Sequence, residues 1–117
     1  MDTQAEQIKR RAKQFALRVI RLFRALPRAA EAQVIGRQLL RSGTAVAANY
    51  RAVCRARSKA EFVAKIGVVV EETDETVFWL EMLVEAGIIR ASRMEPLLKE
   101  ANELLAIFAA SQRTSRT

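Results

Sequence analysis

The sequence predicts an all-α protein: an antiparallel, up-down four-helix bundle that assembles into a homo-oligomer. Three observations carry that expectation. Apolar residues recur at alternating steps of four and three in separate segments, the spacing of one face of a helix. Glycine and proline are scarce, four and two, too few for the many turns of an all-β fold. Ala, Leu, Arg and Glu dominate, and these residues favour helix. At 117 residues, half of them hydrophobic, the chain suits one domain with a single core.

The first helix is expected over about residues 5–26. Ile8, Ala12, Phe15, Val19, Leu22 and Leu26 form its apolar stripe. Pro27 ends it, because the residue before a proline is pushed out of the α region. The second helix is expected over 29–56, with a stripe of Ile35, Leu39, Ser42, Val46, Asn49 and Val53. Ser58 and Glu61 make an S-x-x-E capping box that starts the third helix, expected over 59–87. Its face is broad: Phe62, Ile66, Val69, Val70, Val77, Leu80, Leu83 and Val84. Gly87 is the natural stop. Ser92 and Glu95 suggest a second capping box for a fourth helix over 93–111, with Pro96 in its first turn. Met94, Leu97, Ala101, Leu104 and Phe108 form the last stripe, and residues 112–117 read as a basic polar tail with frayed structure.

Polar residues interrupt the second stripe. Ser42 and Asn49 fall on the seam itself, with Gly43 and Thr44 beside them. A buried amide without partners costs about 1–3 kcal/mol, so Asn49 is expected to be fully hydrogen-bonded. Ser42, Thr44 and Asn49, facing Glu72 and Glu75 of the third helix, are expected to form a structural polar layer that sets helix register. A ligand site and a buried contact between subunits are the alternatives. Gly43 among small neighbours reads as a place of close helix approach.

Charge is uneven along the chain. Residues 1–60 hold fourteen Lys/Arg against three Asp/Glu, and residues 61–117 hold six against ten. A basic half of this kind suits a polyanion. It also suits docking onto the acidic half, within one bundle or between copies. Opposite the first stripe stand Arg10, Lys13, Arg18, Arg21 and Arg24, and with Arg28 these are the candidate phosphate contacts. The charge split and the breadth of the third helix suggest surface left over for self-association, with Phe78, Trp79 and Met82 as the candidate oligomer interface.

Several chemistries lack their residues. Histidine is absent, which removes the commonest general base and metal ligand. The carboxylates Glu71, Asp74, Glu75, Glu81 and Glu85 could suggest a di-iron bundle, but that chemistry normally uses Glu-x-x-His pairs. No phosphate-binding glycine loop or C-x-x-C motif occurs, and Cys54 reads as an ordinary half-buried thiol. No catalytic residue, metal or cofactor is therefore expected. No apolar run approaches the ~20 residues that cross a membrane, and no signal-peptide core is evident. The expectation is a cytoplasmic protein of bacterial type without a membrane partner.

The stretch from Gln38 to Leu83 resembles a known family. Gln38, Leu39, Arg41 and Ser42, then Ala48 and Asn49, then Arg55, Arg57, Ser58, Glu61 and Phe62, then Glu72, Glu75, Trp79 and Leu80 follow its ordered pattern. The family is that of small four-helix-bundle proteins encoded within intervening sequences of bacterial 23S ribosomal RNA genes. Ala45 stands where relatives often have Ser, and Ala52 where Glu is common. The resemblance implies a homopentameric barrel. It also implies kinship with an accessory protein of diversity-generating retroelements, a basic pentamer that binds nucleic acid and a reverse transcriptase.

Together these readings lead to a non-enzymatic nucleic-acid-binding protein, contacting mainly the backbone of RNA or DNA. It could serve as an accessory factor to an enzyme such as a reverse transcriptase. A protein-interaction scaffold and an orphan structural module are the alternatives. The six aromatic residues other than Trp79 are five Phe and one Tyr, and most of the Phe fall in core stripes, so no base-stacking surface is evident. Trp79 reads as a core or interface anchor.

Overall fold

The computed structural model describes residues 2–116. Four helices follow in chain order: α1 (Gln4–Ala25), α2 (Ala30–Val53), α3 (Lys59–Glu85) and α4 (Ala91–Ser115). They form an antiparallel bundle of 45 × 28 × 19 Å. α2 packs on both α1 and α3, and α3 packs on α4. α1 and α4 approach each other only sparsely, so the bundle is less tightly closed along that seam.

Local chemistry explains most helix ends. Thr3 and Glu6 form a full capping box at the start of α1, a signal the sequence reading missed. Leu26 leaves the helix in extended conformation (φ −69°, ψ 146°) ahead of Pro27. Ser58 caps α3 by accepting from Glu61 N–H, while the Glu61 carboxylate pairs with Arg57. Gly87 (φ +73°) ends α3 in a Schellman motif. Its N–H donates to Val84 O, and Ile88 N–H donates to Leu83 O.

The fourth helix departs from expectation. It begins at Ala91, two residues early, with Arg90 as an N-cap that makes no side-chain cap bond. Ser92 therefore lies inside the helix, and the Ser92–Glu95 box does not form. The short turn after Gly87 buries Ile89 and leaves the chain ready to turn helical at once. Pro96 falls in the second turn rather than the first. Most of the expected tail is helical: α4 continues to Ser115, whose hydroxyl donates to Gln112 O, and Thr117 lies outside the described residues. Ser111, Gln112 and Ser115 are half-buried, and Ser111 and Ser115 line a crevice beside Gln4, Ala5 and Ile8 of α1. α2 ends at Val53, short of the expected 56, and α3 at Glu85 rather than 87.

The core contains the predicted stripe of α4 and that of α1 except Leu22, which is half-buried against it, with Phe15 and Phe108 fully buried. Each such side chain contributes about 1.5–3 kcal/mol by leaving water. On α2 the buried face is broader than the expected stripe: Leu39, Ser42, Val46 and Val53 are buried as expected, and a second row shares it. Ala32, Gly36, Leu39, Gly43, Val46, Tyr50 and Val53 are buried, at the same alternating steps of four and three. Ile35 and Asn49 are only half-buried. Tyr50 packs on Phe108, ring centroids 5.1 Å apart, and burial pushes its phenol up to about 12.

Gly36 and Gly43 let α1 lie close on α2. A Cβ at Gly43 would stand 2.9 Å from Val19 Cγ1 and 3.0 Å from Val19 Cγ2. A Cβ at Gly36 would stand 2.5 Å from Leu26 Cδ1, the end of a flexible side chain. Along the α1–α4 seam, Arg11 spans the gap. It donates to both Glu100 oxygens, at 3.1 and 2.6 Å, and to Glu103 at 3.2 Å. Such a two-pronged pair holds geometry better than a single contact.

The two glycines are expected to differ when replaced. A valine in a helix has one strongly preferred rotamer and gives way poorly. Gly43→Ala should therefore destabilise by about 1–2 kcal/mol, overpacking exceeding the ~1 kcal/mol gain in helix propensity. Gly36→Ala should cost less than Gly43→Ala, because Leu26 Cδ1 can swing aside and the Phe23 ring, 3.0 Å away, need give only slightly. Urea unfolding of the two variants checks this. Equal effects would show that Val19 does not set the α1–α2 distance.

Candidate nucleic-acid interface

α2 meets α3 through polar contacts where it meets α1 through glycine. Ser42 and Thr76 are completely buried, and their hydroxyl oxygens lie 2.9 Å apart in a hydrogen bond across the helices. Thr76 Oγ1 also donates to Glu72 O at 2.7 Å, and Ser42 Oγ lies 3.3 Å from Leu39 O. Two protons serve three contacts, so the pair shares them. Thr73, equally buried, donates to Val69 O at 2.7 Å. Threonine can satisfy itself on the preceding turn in this way, which is why α3 carries it on a buried face.

The rim of the same interface is ionic. Arg41 donates to Glu72 at 3.2 Å and to Glu75 at 2.7 Å. The other Glu75 oxygen accepts from Trp79 Nε1 at 3.3 Å. The Arg41 guanidinium, followed by the Trp79 N–H, holds the Glu75 carboxyl below its usual range.

The polar layer is thus Ser42 with Thr76, edged by Arg41, Glu72 and Glu75. Thr44 and Asn49 do not join it. Thr44 donates to Leu40 O and Arg41 O, and Asn49 Nδ2 donates to Ala45 O, all on their own helix. The expected partner for Asn49 on α3 is absent because Tyr50, not Asn49, turns into the seam.

The cations fall into two groups. Lys9, Arg10 and Lys13 of α1 and Arg51 and Arg55 at the end of α2 line one groove of about 500 Å³. Thr44, Ala47 and Ala48 complete its lining, and among the described residues no carboxylate takes part. Arg10 is paired with Asp2. Of the six predicted phosphate contacts, Arg10 and Lys13 belong to this groove. Arg18 is half-buried farther along α1, and Arg21 and Arg24 are exposed beyond it. Arg28 is exposed in the loop between α1 and α2. The sequence reading missed Lys9, Arg51 and Arg55 as groove members, although each pair Lys9/Lys13 and Arg51/Arg55 shows the spacing of one helix turn.

α3 turns a different surface outward. Glu71, Asp74, Glu81 and Glu85 are exposed there. Phe78 is 49% exposed and Val68 42%, while Trp79 and Met82 are half-buried. Phe78 meets Trp79 edge to face, centroids 4.9 Å apart. Val68 is an exposed apolar residue on this helix that the sequence reading did not single out. Cys54 is exposed rather than half-buried. Among the described residues, no group of three or more Asp, Glu or Cys side chains is arranged to hold a metal ion. No helix among them is long and apolar enough to cross a membrane.

A basic α1–α2 face, a polar α2–α3 seam and an acidic, partly apolar α3 surface define a charge-segregated four-helix bundle. The family model for the 23S rRNA-intervening sequence protein matches residues 4–110. The chain belongs to that family. It is similar in structure to a Bacteroides thetaiotaomicron protein of unknown function from the S23 ribosomal protein family. The two align with a TM-score of 0.87 at 28% identity, over 95% of this chain and 99% of that one. No curated protein matches the chain.

The Glu75 network makes a pH prediction. A carboxylate whose folded pKa is lowered adds stability above its unfolded value, about 4.3 for Glu. That contribution fades as pH falls through the lowered folded value. Wild type should therefore lose stability relative to Glu75→Gln as pH drops below about 4.3. Denaturant unfolding across an acid pH series measures the difference, and parallel curves would contradict it.

Proposed function

We propose that this chain is a non-enzymatic, oligomeric nucleic-acid-binding protein that contacts mainly the sugar-phosphate backbone. The observation that carries the reading is the basic α1–α2 face, with five cations converging on one groove and no carboxylate among the described residues lining it. Arginine's planar fork and constant charge suit phosphate. A groove and belt of cations bind a phosphate chain through counterion release, with little regard for sequence. Family membership supports a link to ribosomal RNA genes through the family's name alone.

Self-association belongs to the same proposal. Phe78 and Val68 expose apolar surface on α3 beside Glu71, Asp74, Glu81 and Glu85. In a cyclic oligomer the basic face would repeat once per subunit, so weak contacts would add. The number five rests on the family resemblance.

Replacing Arg18, Arg21 and Arg24 with Gln is expected to leave the fold intact and lower affinity for RNA and DNA about equally across sequences. The salt slope should flatten by about 0.9 for each duplex phosphate that the variant no longer neutralises. A wild type that binds neither nucleic acid at low salt would overturn the reading, and unchanged affinity in the triple variant would remove Arg18, Arg21 and Arg24 from the interface and leave the groove alone to carry it. Light scattering is expected to give a mass above the 13.1 kDa of one chain. Phe78→Glu should shift that mass downward, and a wild-type monomer at micromolar concentration would remove the oligomer from the proposal.

A further inference from the structure

The groove between α1 and α2 has a shape as well as a charge. Lys9, Arg10 and Lys13 stand on one side, and Arg51 and Arg55 on the other. Ala47, Ala48 and Thr44 between them are small. Asp2 engages Arg10, whereas Lys9, Lys13, Arg51 and Arg55 have no ion-pair partner among the described residues.

We propose that this groove seats the phosphodiester backbone of one unpaired nucleic-acid strand, so that the protein prefers single strands to duplex. The inference rests on the nucleic-acid-binding reading and names its substrate class. Neighbouring helix axes stand about 8–10 Å apart, so a groove between two of them admits one chain. A duplex is a stiff cylinder with a backbone on either side and can touch only the rims. Lys9 and Lys13 are separated by one helix turn, about 6 Å along the axis. Successive phosphates of one flexible strand can adjust to such a step, whereas those of a duplex are held at a fixed rise.

The lining also argues for backbone rather than base contact. No aromatic residue among those described lines the groove, so nothing there stacks a base. An acidic peptide fits less well. The walls are α1 and α2, with Arg55 in the turn just after α2, and helix backbone groups are already paired, so an extended peptide would find few ladder partners for its own N–H and C=O groups. A phosphodiester has no backbone donors to satisfy and needs only the cations.

The test uses fluorescence anisotropy at low salt with two labelled probes, oligo-dT and a duplex of equal length. Wild type should bind oligo-dT more tightly. Lys13→Gln/Arg51→Gln/Arg55→Gln should weaken oligo-dT binding by about tenfold or more and duplex binding less. All three side chains are exposed, so the core is untouched. Ala48→Phe fills the groove from an exposed position without changing any charge, and it should weaken oligo-dT binding selectively. Arg18→Gln/Arg21→Gln/Arg24→Gln should affect both probes alike. Wild type that binds both probes equally, or oligo-dT binding that survives both groove variants, overturns this proposal and leaves the broader reading standing. Failure of wild type to bind either probe overturns both. Stronger competition by polyglutamate than by unlabelled oligo-dT at equal charge assigns the groove to an acidic protein and overturns the single-strand proposal.

Discussion

The close approach of α1 to α2 at Gly43 and Val19 governs much of this molecule. Without a side chain at Gly43, the valine of α1 sits directly on the α2 backbone. Gly36 repeats the arrangement one heptad earlier, beneath Leu26 and Phe23. The distance between the two helices determines how near the cations of α1 come to those of α2. A wider pairing would turn the groove into a shallow face. On its other side α2 is held by different means, a buried hydroxyl pair and an ionic rim. The Ser42–Thr76 bond, worth about 1 kcal/mol, favours one register of α3.

How much of this was legible follows from what each signal can resolve. Four apolar stripes, Pro27, Ser58 and Gly87 marked the bundle and most of its boundaries. Arg28 also lay between helices, where the expected helix ends placed it. The width of the buried face of α2 was not resolved. Leu39, Ser42, Val46 and Val53 lay where the stripe placed them, but Tyr50 rather than Asn49 turns inward and Gly36 is buried with it. Hydropathy does not mark these positions, because glycine adds no apolar surface and tyrosine is amphipathic. Helix spacing, a tertiary property, decided the matter. The Ser92–Glu95 motif failed for a related reason: the turn fixed by Gly87 and Ile89 starts α4 before Ser92 can cap it. The groove was half-visible. Cations on α1 could be read from the wheel, but their convergence with Arg51 and Arg55 depends on antiparallel pairing of two helix ends far apart in sequence.

Charge segregation links the fold to the proposed role. A bundle needs only its buried faces specified, so its outer faces are free to differ. Here α1 and α2 present arginine and lysine, while α3 presents carboxylates around Phe78 and Val68. Arg11 and Arg41 are withdrawn from the basic surface by their glutamate partners, and they hold helices together instead. Lys9, Lys13, Arg51 and Arg55 keep no ion-pair partner among the described residues. The shared fold with the Bacteroides thetaiotaomicron protein places the same four-helix framework beneath a sequence that is only 28% identical. Surface chemistry has room to change on that framework.

The most direct measurement is a map of which backbone amides respond when a short single strand is titrated into the isotopically labelled protein, followed by NMR. The account predicts shifts concentrated on residues 9–13 of α1 and on residues 44–55, the last part of α2 and the turn after it, fading as salt rises, with the outer face of α3 silent. Shifts centred on Glu71–Glu85, or a spectrum that does not change at low salt, would contradict it.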